Sequence, residues 1–436
     1  MGLLQKTMKG AKIGHFKNTE NCQSTAMPIP QEVCISMSQH MGPPCKPVVA
    51  KGDAVKVGTL IGDSDAFLSA PIHSSVSGTV TEVAEIVTSN GARTQVVTIK
   101  TDGEQTVDEN VTVPTIENHV DFVKAIRASG LVGLGGAGFP THIKMNPKNL
   151  SEVDTLVVNA AECEPYITSD YRTIIEHSDD VLDGIAAIKK YVGITQVKIA
   201  VENNKPQAIE LLRRLTEKDS SIEVVSLKSI YPKGAEKVTV FETTGRVIKE
   251  GMLPSDVGVI VNNITSTAFI GRYLKTGMPL VSKCLTVDGG AIAEPKNVIA
   301  PIGVHFSDVI AFCGGYKTTP KKMLMGGPMM GIPLFDDAYP VLKNNNALLV
   351  FDETQTIVEP EQPCIRCGRC MSACPYQLMP RQIELAANNH DVGMLNKLKV
   401  MLCMECGSCS YVCPAKRNLT FSNRLAKQML RDAAKK

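Results

Sequence analysis

Two stretches near the carboxyl end of the chain carry one cysteine pattern: Cys364-Ile365-Arg366-Cys367-Gly368-Arg369-Cys370-Met371-Ser372-Ala373-Cys374-Pro375 and Cys403-Met404-Glu405-Cys406-Gly407-Ser408-Cys409-Ser410-Tyr411-Val412-Cys413-Pro414. Each stretch reads C-x2-C-x2-C-x3-C-P. This spacing lets three thiolates on one tight loop bind three irons of a [4Fe-4S] cubane, while a fourth thiolate completes the site. The repeat therefore predicts two [4Fe-4S] clusters and a role in electron transfer.

The proline-flanked fourth cysteines decide how the two runs share their clusters. In proteins with two clusters, the fourth cysteine of each run ligates the cluster of the other run. We therefore assign one cluster to Cys364, Cys367, Cys370 and Cys413, and the other to Cys403, Cys406, Cys409 and Cys374. Zinc and disulfides are the alternatives. Zinc sites favour paired C-x2-C units or histidines, and a disulfide framework is unusual in a reducing compartment, so both are disfavoured.

Length and charge limit the classes of protein to be considered. The chain has 436 residues, enough for about three or four domains. Its formal charge of +2 leaves no basic field for nucleic acid, so we expect protein and cofactor partners. No secretory leader and no run of about 18 apolar residues is found, so the chain is not expected to cross a membrane by itself. The other cysteines are irregularly spaced and are interpreted as buried or free thiols of a cytosolic protein: Cys22, Cys34, Cys45, Cys163, Cys284 and Cys313.

The first part of the chain predicts an arm and a small β-domain. Residues 1–40 are polar and interrupted by prolines, which indicates an irregular arm. Residues 41–115 contain short β-runs with glycine turns and predict a β-sandwich. The run Lys51-Gly52-Asp53-Ala54-Val55-Lys56-Val57-Gly58-Thr59-Leu60 is similar to barrel-sandwich domains that carry lipoyl or biotinyl groups, but no lysine stands between Lys56 and Lys100 to be modified. We therefore expect a packing or docking module without a swinging arm.

A glycine-rich loop follows: Gly133-Leu134-Gly135-Gly136-Ala137-Gly138-Phe139-Pro140-Thr141. Its glycines match the dinucleotide fingerprint G-x-G-x-x-G. However, that fingerprint follows a strand and opens a helix, whereas here a predicted helix over 120–130 precedes the loop and Phe139-Pro140 interrupts what comes after. Bare backbone amides still suit an anion or a flat ring. The loop is therefore either a nucleotide or flavin site or a tight turn.

Helices and strands alternate through residues 116–278, which predicts a parallel sheet with helical cover. The predicted strands are 155–158, 197–201, 222–227 and 257–261, with helices over 172–192 and 206–218. Polar loops follow three strands: Asn159-Ala160-Ala161-Glu162-Cys163-Glu164-Pro165-Tyr166, Tyr231-Pro232-Lys233-Gly234-Ala235-Glu236-Lys237, and Asn262-Asn263. Because ligands bind where the carboxyl ends of parallel strands meet, we expect these loops to converge at one edge of the sheet.

Two further domains complete the predicted architecture, a multidomain α/β protein. Residues 279–345 show short β-runs around a helix over 306–312 and predict a small, β-grasp-like α+β domain. Residues 346–436 begin with a strand over 346–352 and continue as a helical domain that holds both cysteine runs. The tail after Phe421 predicts an amphipathic basic helix, expected to pack on its own domain, with a partner or membrane surface as the alternative.

These motifs together resemble those of a known family. The loops at 133–144, 159–166 and 231–236 look like those of the flavin- and NADH-binding subunit of respiratory complex I. With the carrier-like β-domain in front and two cysteine runs behind, the chain resembles the C subunits of Rnf complexes, the ion-translocating ferredoxin:NAD oxidoreductases. Complex I has arginine, aspartate and glutamate where this chain has Leu134, Ala161 and Ala235.

The resemblance implies a non-covalent FMN with a nicotinamide stacked above it. The flavin and its phosphate would be bound by Gly133, Gly135, Gly136 and Lys144, and the pocket completed by Asn159, Glu162, Tyr231, Gly234, Asn262 and Asn263. Phe139, Glu164 and Glu236 would face NADH. This chemistry needs no catalytic acid or base from the protein, because a hydride passes to the flavin and single electrons leave through the clusters.

The implied function is that of a peripheral subunit on the cytoplasmic side of the cell membrane. It would exchange electrons between NAD(H) and other subunits of a membrane-bound redox complex, including a ferredoxin-like iron–sulfur subunit, while the complex moves sodium ions or protons. Two alternatives remain. One is a soluble NADH-dependent corrin reductase, in which the flavin domain comes first, and the other is an electron-wire scaffold without a working NADH site.

Overall fold

A computed structural model describes residues 8–89 and 91–435 of the chain. The beginning of the predicted arm, residues 1–7, and Lys436 at the end of the cluster domain lie outside the described residues.

The amino-terminal strands form the predicted β-sandwich. One antiparallel sheet has the strand order β2-β8-β7-β4 and the other has the order β3-β5-β6. Buried aliphatic side chains between them, such as Ile35, Ile61 and Ile99, form the core of this domain. The strands are β1 Ser24–Ala26, β2 Glu32–Ser36, β3 Lys46–Pro47, β4 Ala54–Val55, β5 Leu60–Asp63, β6 Ile72–His73, β7 Gly78–Val87 and β8 Arg93–Thr101.

The structure corrects the prediction of an irregular arm over 1–40. Strand β1 pairs in parallel with a strand of the distant mixed sheet, through Ser24 and Asn297, and β2 is a strand of the sandwich. The prolines that suggested an arm, Pro28 and Pro30, lie between these two strands and interrupt neither ladder.

The central domain contains the predicted parallel sheet, with strand order β11-β10-β9-β12. The helix predicted over 172–192 is divided at His177, whose backbone is not helical (φ −132°, ψ 36°), and Asp179 and Asp180 then occupy the first turn of the next helix. The elements are α1 His119–Ala128, α2 Thr141–Lys144, β9 Thr155–Ala160, α3 Ser169–Glu176, α4 Ser178–Val192, β10 Gln196–Glu202, α5 Pro206–Thr216, β11 Ile222–Leu227, α6 Glu236–Thr244, β12 Val259–Asn263 and α7 Ile264–Thr276.

A mixed sheet with a helix on it follows, as expected for residues 279–345. Its strand order is β1-β14-β13-β17-β15-β16, from β13 Ser282–Asp288, β14 Lys296–Pro301, α8 Phe306–Phe312, β15 Lys322–Met325, β16 Ile332–Leu334 and β17 Ala347–Phe351. The boundary predicted at 345 is corrected, because β17 is buried along its whole length between β13 and β15. It belongs to this sheet and not to the cluster domain.

The remaining residues form the helical cluster domain. Its helices are α9 Arg369–Ala373, α10 Pro380–Asn388, α11 Val392–Lys397, α12 Ser408–Tyr411 and α13 Leu419–Ala433. The carboxyl-terminal helix α13 packs through Ala426 and Leu430 into a core with Ile383 and Leu395, which confirms the prediction that it packs on its own domain. Within the described residues, no helix combines the length and the apolar character that a membrane span requires.

Candidate functional site

The glycine-rich loop is a closed turn that follows helix α1. Val132 and Pro140 form an antiparallel bridge at its base, and the Gly133 N–H donates to the Phe139 carbonyl at 2.9 Å. As predicted, no strand leads directly into it, so it is not a dinucleotide fingerprint. Gly135 and Gly136 at its tip are exposed. A Cβ on Gly135 would lie 2.5 Å from Asn263 Nδ2, so a larger residue there would have to displace the Asn263 side chain.

Three parts of the molecule hold this loop. The Leu134 N–H donates to Ser266 Oγ in helix α7 at 2.9 Å. The Gly138 carbonyl accepts from the Met41 N–H of the β-sandwich at 2.9 Å. The Gly136 carbonyl accepts from Asn344 Nδ2, in the segment before β17, at 2.8 Å. The loop is therefore fixed by the protein before any ligand arrives.

The amino terminus of helix α7 lies directly beneath the loop. Asn263 caps it, with its side-chain oxygen accepting from the Ser266 N–H at 3.1 Å and its Nδ2 donating to Asp170 at 2.7 Å. Lys144 lies near the carboxyl end of strand β12, where its ammonium donates to the Val261 carbonyl at 3.1 Å. Its Nζ lies 5.9 Å from the centre of the Phe139 ring. Bare amides, a helix amino terminus and an ammonium are the groups that bind a phosphate.

The three predicted polar loops do meet at the carboxyl edge of the parallel sheet. Asn159 Nδ2 donates to the Gly234 carbonyl at 2.8 Å, and a Cβ on Gly234 would lie 2.2 Å from the Ala161 carbonyl oxygen. Lys144 Nζ lies 3.5 Å from the carboxylate of Glu236, which begins helix α6. The predicted convergence is confirmed, and the glycine loop lies at the same edge.

Glu164 joins three parts of the protein. Its carboxylate accepts from the Tyr231 hydroxyl at 3.3 Å and from the Met329 N–H, in the turn between β15 and β16, at 3.0 Å. Burial raises the pKa of Glu164 to about 7, and these hydrogen bonds only partly oppose the effect. Its carboxyl group therefore titrates near neutral pH.

Two predicted side chains have partners inside the protein. Glu162 is 6% exposed, accepts from the Asp170 N–H at 2.7 Å and lies 3.9 Å from Lys205 Nζ. Burial raises its pKa to about 7, with Lys17 and Lys205 opposing. Asn262 is 1% exposed and donates to Thr267 at 3.0 Å. Both side chains are buried and have partners within the protein.

The cysteines fall into the two predicted sets. One cavity is lined by Cys374, Cys403, Cys406 and Cys409, and a second by Cys364, Cys367, Cys370 and Cys413. We call them the inner and the outer cysteine set. In each, the fourth cysteine comes from the other run, which is the exchange that the sequence predicts.

The two runs also repeat their backbone conformation. Arg366 and Glu405, at equivalent positions, have φ of 57° and 61°, and their N–H groups donate to the sulfurs of Cys364 and Cys403, each at 3.4 Å. Among the described residues, no three His, Cys, Asp or Glu side chains converge as the ligands of one metal ion do. In a cubane each thiolate binds a different iron, so its ligands stand further apart than those of one ion.

The inner set adjoins the carboxyl edge of the parallel sheet. A Cβ on Gly407 would lie 3.1 Å from the carbonyl of Met329, the residue whose N–H binds Glu164. Burial raises the pKa of Tyr231, and the charges of Glu164 and Cys406 raise it further. Burial likewise raises the pKa of Tyr376, and the charges that add to it include Cys406 and Glu236. Tyr231 donates a hydrogen bond to Glu164, and Tyr376 lines the cavity of the inner set, so one tyrosine contacts each side of this junction.

The outer set lies near the surface. Cys367 is exposed, and Ile365 beside it is 68% exposed. Behind it, the buried carboxylate of Glu384 accepts from Arg417 at 2.6 Å and also pairs with Arg381. Burial alone would raise the pKa of Glu384, but these arginines hold it below its ordinary value.

Several residues of the site could not be found from the sequence. Lys17 donates to carbonyls of the loop after β9, Asp170 links Glu162 to Asn263, and Met329 joins Glu164 to the cluster domain. None of these residues belongs to a motif, and each acts through backbone or side-chain contacts between segments distant in sequence. Only the tertiary structure brings them to the site.

Comparison with known families identifies the parts of the chain. The profile of the RnfC barrel sandwich hybrid domain matches residues 5–104 and that of the Nuo51 FMN-binding domain matches residues 126–272. An SLBB domain matches residues 285–333 and a 4Fe-4S dicluster domain matches residues 363–417. These matches confirm the predicted barrel-sandwich, flavin-binding and iron–sulfur parts.

Several relatives match most of the chain, and all three described here are C subunits of redox complexes. The chain is 40% identical over 374 residues to that of the proton-translocating ferredoxin:NAD(+) oxidoreductase complex of Clostridium ljungdahlii, covering 85% of this chain and 81% of the relative. It is 41% identical over 402 residues to that of the Na(+)-translocating ferredoxin:NAD(+) oxidoreductase complex of Acetobacterium woodii, covering 92% and 91%. For the ion-translocating oxidoreductase complex of Rhodobacter capsulatus the identity is 36% over 393 residues, covering 89% and 75%.

A solved structure has a similar fold. An NAD+-reducing [NiFe]-hydrogenase in the H2-reduced state superposes with a TM-score of 0.50 at 16% identity, covering 72% of this chain and 61% of that chain. At this identity the likeness concerns the fold alone.

Proposed function

Because the chain belongs to the family of C subunits of ion-translocating ferredoxin:NAD(+) oxidoreductase complexes, we propose that it exchanges electrons between NAD(H) and a one-electron partner. The observation that carries this proposal is the contact between its two sites. Glu164 at the cofactor edge binds Met329, and Met329 lies against Gly407 of the inner cysteine run. The relatives favour this function over that of a soluble corrin reductase.

The glycine-loop edge is proposed to bind FMN. The donor set fits its phosphate: exposed amides at Gly135 and Gly136, the amino terminus of helix α7 and the Lys144 ammonium. Gly133, Asn159, Tyr231, Gly234 and Asn263 would frame the rest of the cofactor, while Glu162 and Asn262 would support these loops. Bound FMN supplies the conversion between a hydride and single electrons.

Nicotinamide binding is proposed for Phe139, Glu164 and Glu236. Phe139 is partly exposed beside the glycine loop and Glu236 is exposed at the first turn of helix α6. These three side chains would bind and orient the dinucleotide, since hydride transfer needs no proton from the protein. Glu164, fixed between Tyr231 and Met329, would set the position of the nicotinamide relative to the inner cysteine set.

The two cysteine sets are proposed to ligate one [4Fe-4S] cluster each. The inner set adjoins the proposed flavin site and the outer set is exposed, so electrons are expected to pass between the flavin and the partner through the inner and then the outer set, in either direction. Arg366, Arg369 and Arg381 line the outer cavity, which suits an acidic, ferredoxin-like subunit of the complex. The protein is proposed to be peripheral, on the cytoplasmic side of the cell membrane.

The test is a titration of the reconstituted protein with NADH. The chain is loaded with FMN, iron and sulfide, and absorption and electron paramagnetic resonance spectra are recorded. We expect bleaching of the flavin band and reduction of at least one cubane. Protein that holds iron and sulfide but binds no flavin, or shows no spectral change at saturating NADH, would instead be an electron-wire scaffold.

A further inference from the structure

The amino-terminal segment of residues 8–19, which we call the strap, crosses the cofactor edge of the parallel sheet. Ala11 and Tyr231 exchange two backbone hydrogen bonds, of 2.8 and 3.0 Å. The His15 carbonyl accepts from the Tyr166 N–H at 3.0 Å, and the Phe16 ring stacks on Tyr166 with centroids 5.1 Å apart. The strap therefore contacts two of the three polar loops that form the site.

Lys17 makes the densest contact of the strap. Its ammonium donates to the carbonyls of Glu162 at 2.9 Å and Glu164 at 2.8 Å, and also to that of Ile167. Burial lowers the pKa of Lys17 to about 8, with Glu162 opposing, so the group is still mostly protonated at neutral pH. The Lys17 ammonium thus holds the backbone of this loop at three points, one before Cys163, one at Glu164 and one after it.

A chain of hydrogen bonds continues from this loop to the glycine loop. The Glu162 carboxylate accepts from the Asp170 N–H at 2.7 Å, and the Asp170 carboxylate accepts from Asn263 Nδ2 at 2.7 Å. Asn263 in turn is the residue against which Gly135 packs. The strap is therefore connected to the proposed phosphate site as well as to Glu164.

We propose that Lys17 is a positioning residue of the redox site, which holds the loop of residues 162–167 so that Glu164 and the glycine loop are preformed for the flavin and the nicotinamide. This inference rests on the proposed function. Its physical basis is preorganisation: a loop already held in its binding geometry loses less conformational freedom when the ligand binds. Charge-assisted hydrogen bonds to three carbonyls are strong enough to hold it.

The test compares Lys17→Met with Lys12→Met, an exposed lysine of the same segment. Lys17→Met is expected to raise the FMN dissociation constant about tenfold, measured by flavin fluorescence, because the loop that the three hydrogen bonds of Lys17 hold must then be ordered when the ligand binds. With FMN saturating, KM for NADH should rise while kcat stays within about twofold, because loop placement and not chemistry is affected. Amides of residues 162–167 should exchange hydrogen faster in the apoprotein. Lys12→Met should change none of these.

Phe16→Ala keeps the test decisive if Lys17→Met does not fold. Its ring is 56% exposed, and its loss should weaken FMN binding about threefold. Unchanged FMN affinity and unchanged exchange at 162–167 in the folded variants would overturn the role of Lys17. If the unaltered protein itself binds no FMN, the proposed function fails, and amide exchange in the apoprotein still decides whether the strap holds the loop.

Discussion

The inner and outer cysteine sets share one sequence pattern and one loop conformation but differ in their surroundings. Cys406 and Cys409 of the inner set are buried, whereas Cys367 of the outer set is exposed. Gly407 packs against Met329, whereas a Cβ on the equivalent Gly368 would meet no atom within 4 Å. Local spacing therefore sets the conformation of each cysteine loop, while contacts with neighbouring segments of the protein determine how exposed each set is.

The acidic residues near the two sets differ in the same way. Glu164, which Met329 connects to the inner run, is partly buried and accepts from the neutral donors of Tyr231 and Met329, and burial raises its pKa to about 7. Glu384, behind the outer set, is buried too, but two arginines hold its pKa below the ordinary value. Burial is common to both carboxyl groups, so the presence of arginines decides the direction.

The largest expected effect comes from removing one cluster at a time through its exchanged ligand. Cys374→Ser should remove the inner cluster and Cys413→Ser the outer one, each with about half of the bound iron. NADH should still reduce the flavin in both variants. It should reduce the remaining cluster only in Cys413→Ser, because the inner set adjoins the proposed flavin site; paramagnetic resonance after NADH addition measures this. Equal reduction of the remaining cluster in both variants would contradict the order of the two sets.

The opposite pKa shifts of Glu164 and Glu384 can be tested by measuring protein stability as a function of pH. The folded pKa of Glu164 lies above the ordinary 4.5, so its stabilising contribution is fully present below pH 4.5 and is lost as the pH rises through about 7. Glu164→Gln removes this dependence. Its melting temperature should therefore improve relative to the unaltered protein between pH about 5.5 and about 8, by the equivalent of at most about 2 kcal/mol.

Glu384→Gln is the matched control for that experiment. Because the pKa of Glu384 is lowered, its contribution is already complete above its ordinary value of 4.5. The variant should be destabilised by a constant amount over the same pH range. A parallel pH dependence in the two variants would show that the arginines do not distinguish these carboxyl groups.

Substitutions of the equivalent glycines, Gly407 and Gly368, test the difference in packing and are expected to have a smaller effect. Gly407 and Gly368 have φ of 83° and 75°, so alanine costs about 1–2 kcal/mol at either position. Gly407→Ala must also displace Met329, and we expect it to lose about 1 kcal/mol more than Gly368→Ala and to slow reduction of the inner cluster. Thermal unfolding and stopped-flow absorption measure the two effects. Equal losses of stability in the two variants would mean that Met329 can move away from residue 407 without a measurable change in the free energy of unfolding.

Much of the fold and of the candidate site can be predicted from the sequence, because the patterns that indicate them lie among residues close together in the chain. The cysteine spacing predicts the two groups of cysteines that line the two cavities, and alternating strands and helices predict the sheet edge at which Asn159, Gly234 and Asn263 meet. The sequence does not reveal Lys17, whose three acceptors are backbone carbonyls about 150 residues away in the chain. It also misassigns β17 to the cluster domain, since a short apolar run does not say which sheet will bury it.

The smallest expected effect concerns the equivalent residues Arg366 and Glu405. Glu405 is bound by Arg424 at 2.8 Å and Lys427 at 2.6 Å, whereas Arg366 is exposed beside Cys367. If the outer set is where electrons leave, Arg366→Glu should slow electron transfer to an acidic ferredoxin about threefold at low salt, and less at high salt, because charge steers the encounter. Arg93→Glu, on the distant β-sandwich, should not slow it, and neither variant should alter NADH-dependent reduction of the flavin. A rate independent of both Arg366 and salt would place the site of electron exchange elsewhere, since Arg366 and Cys367 are both exposed and line the same cavity.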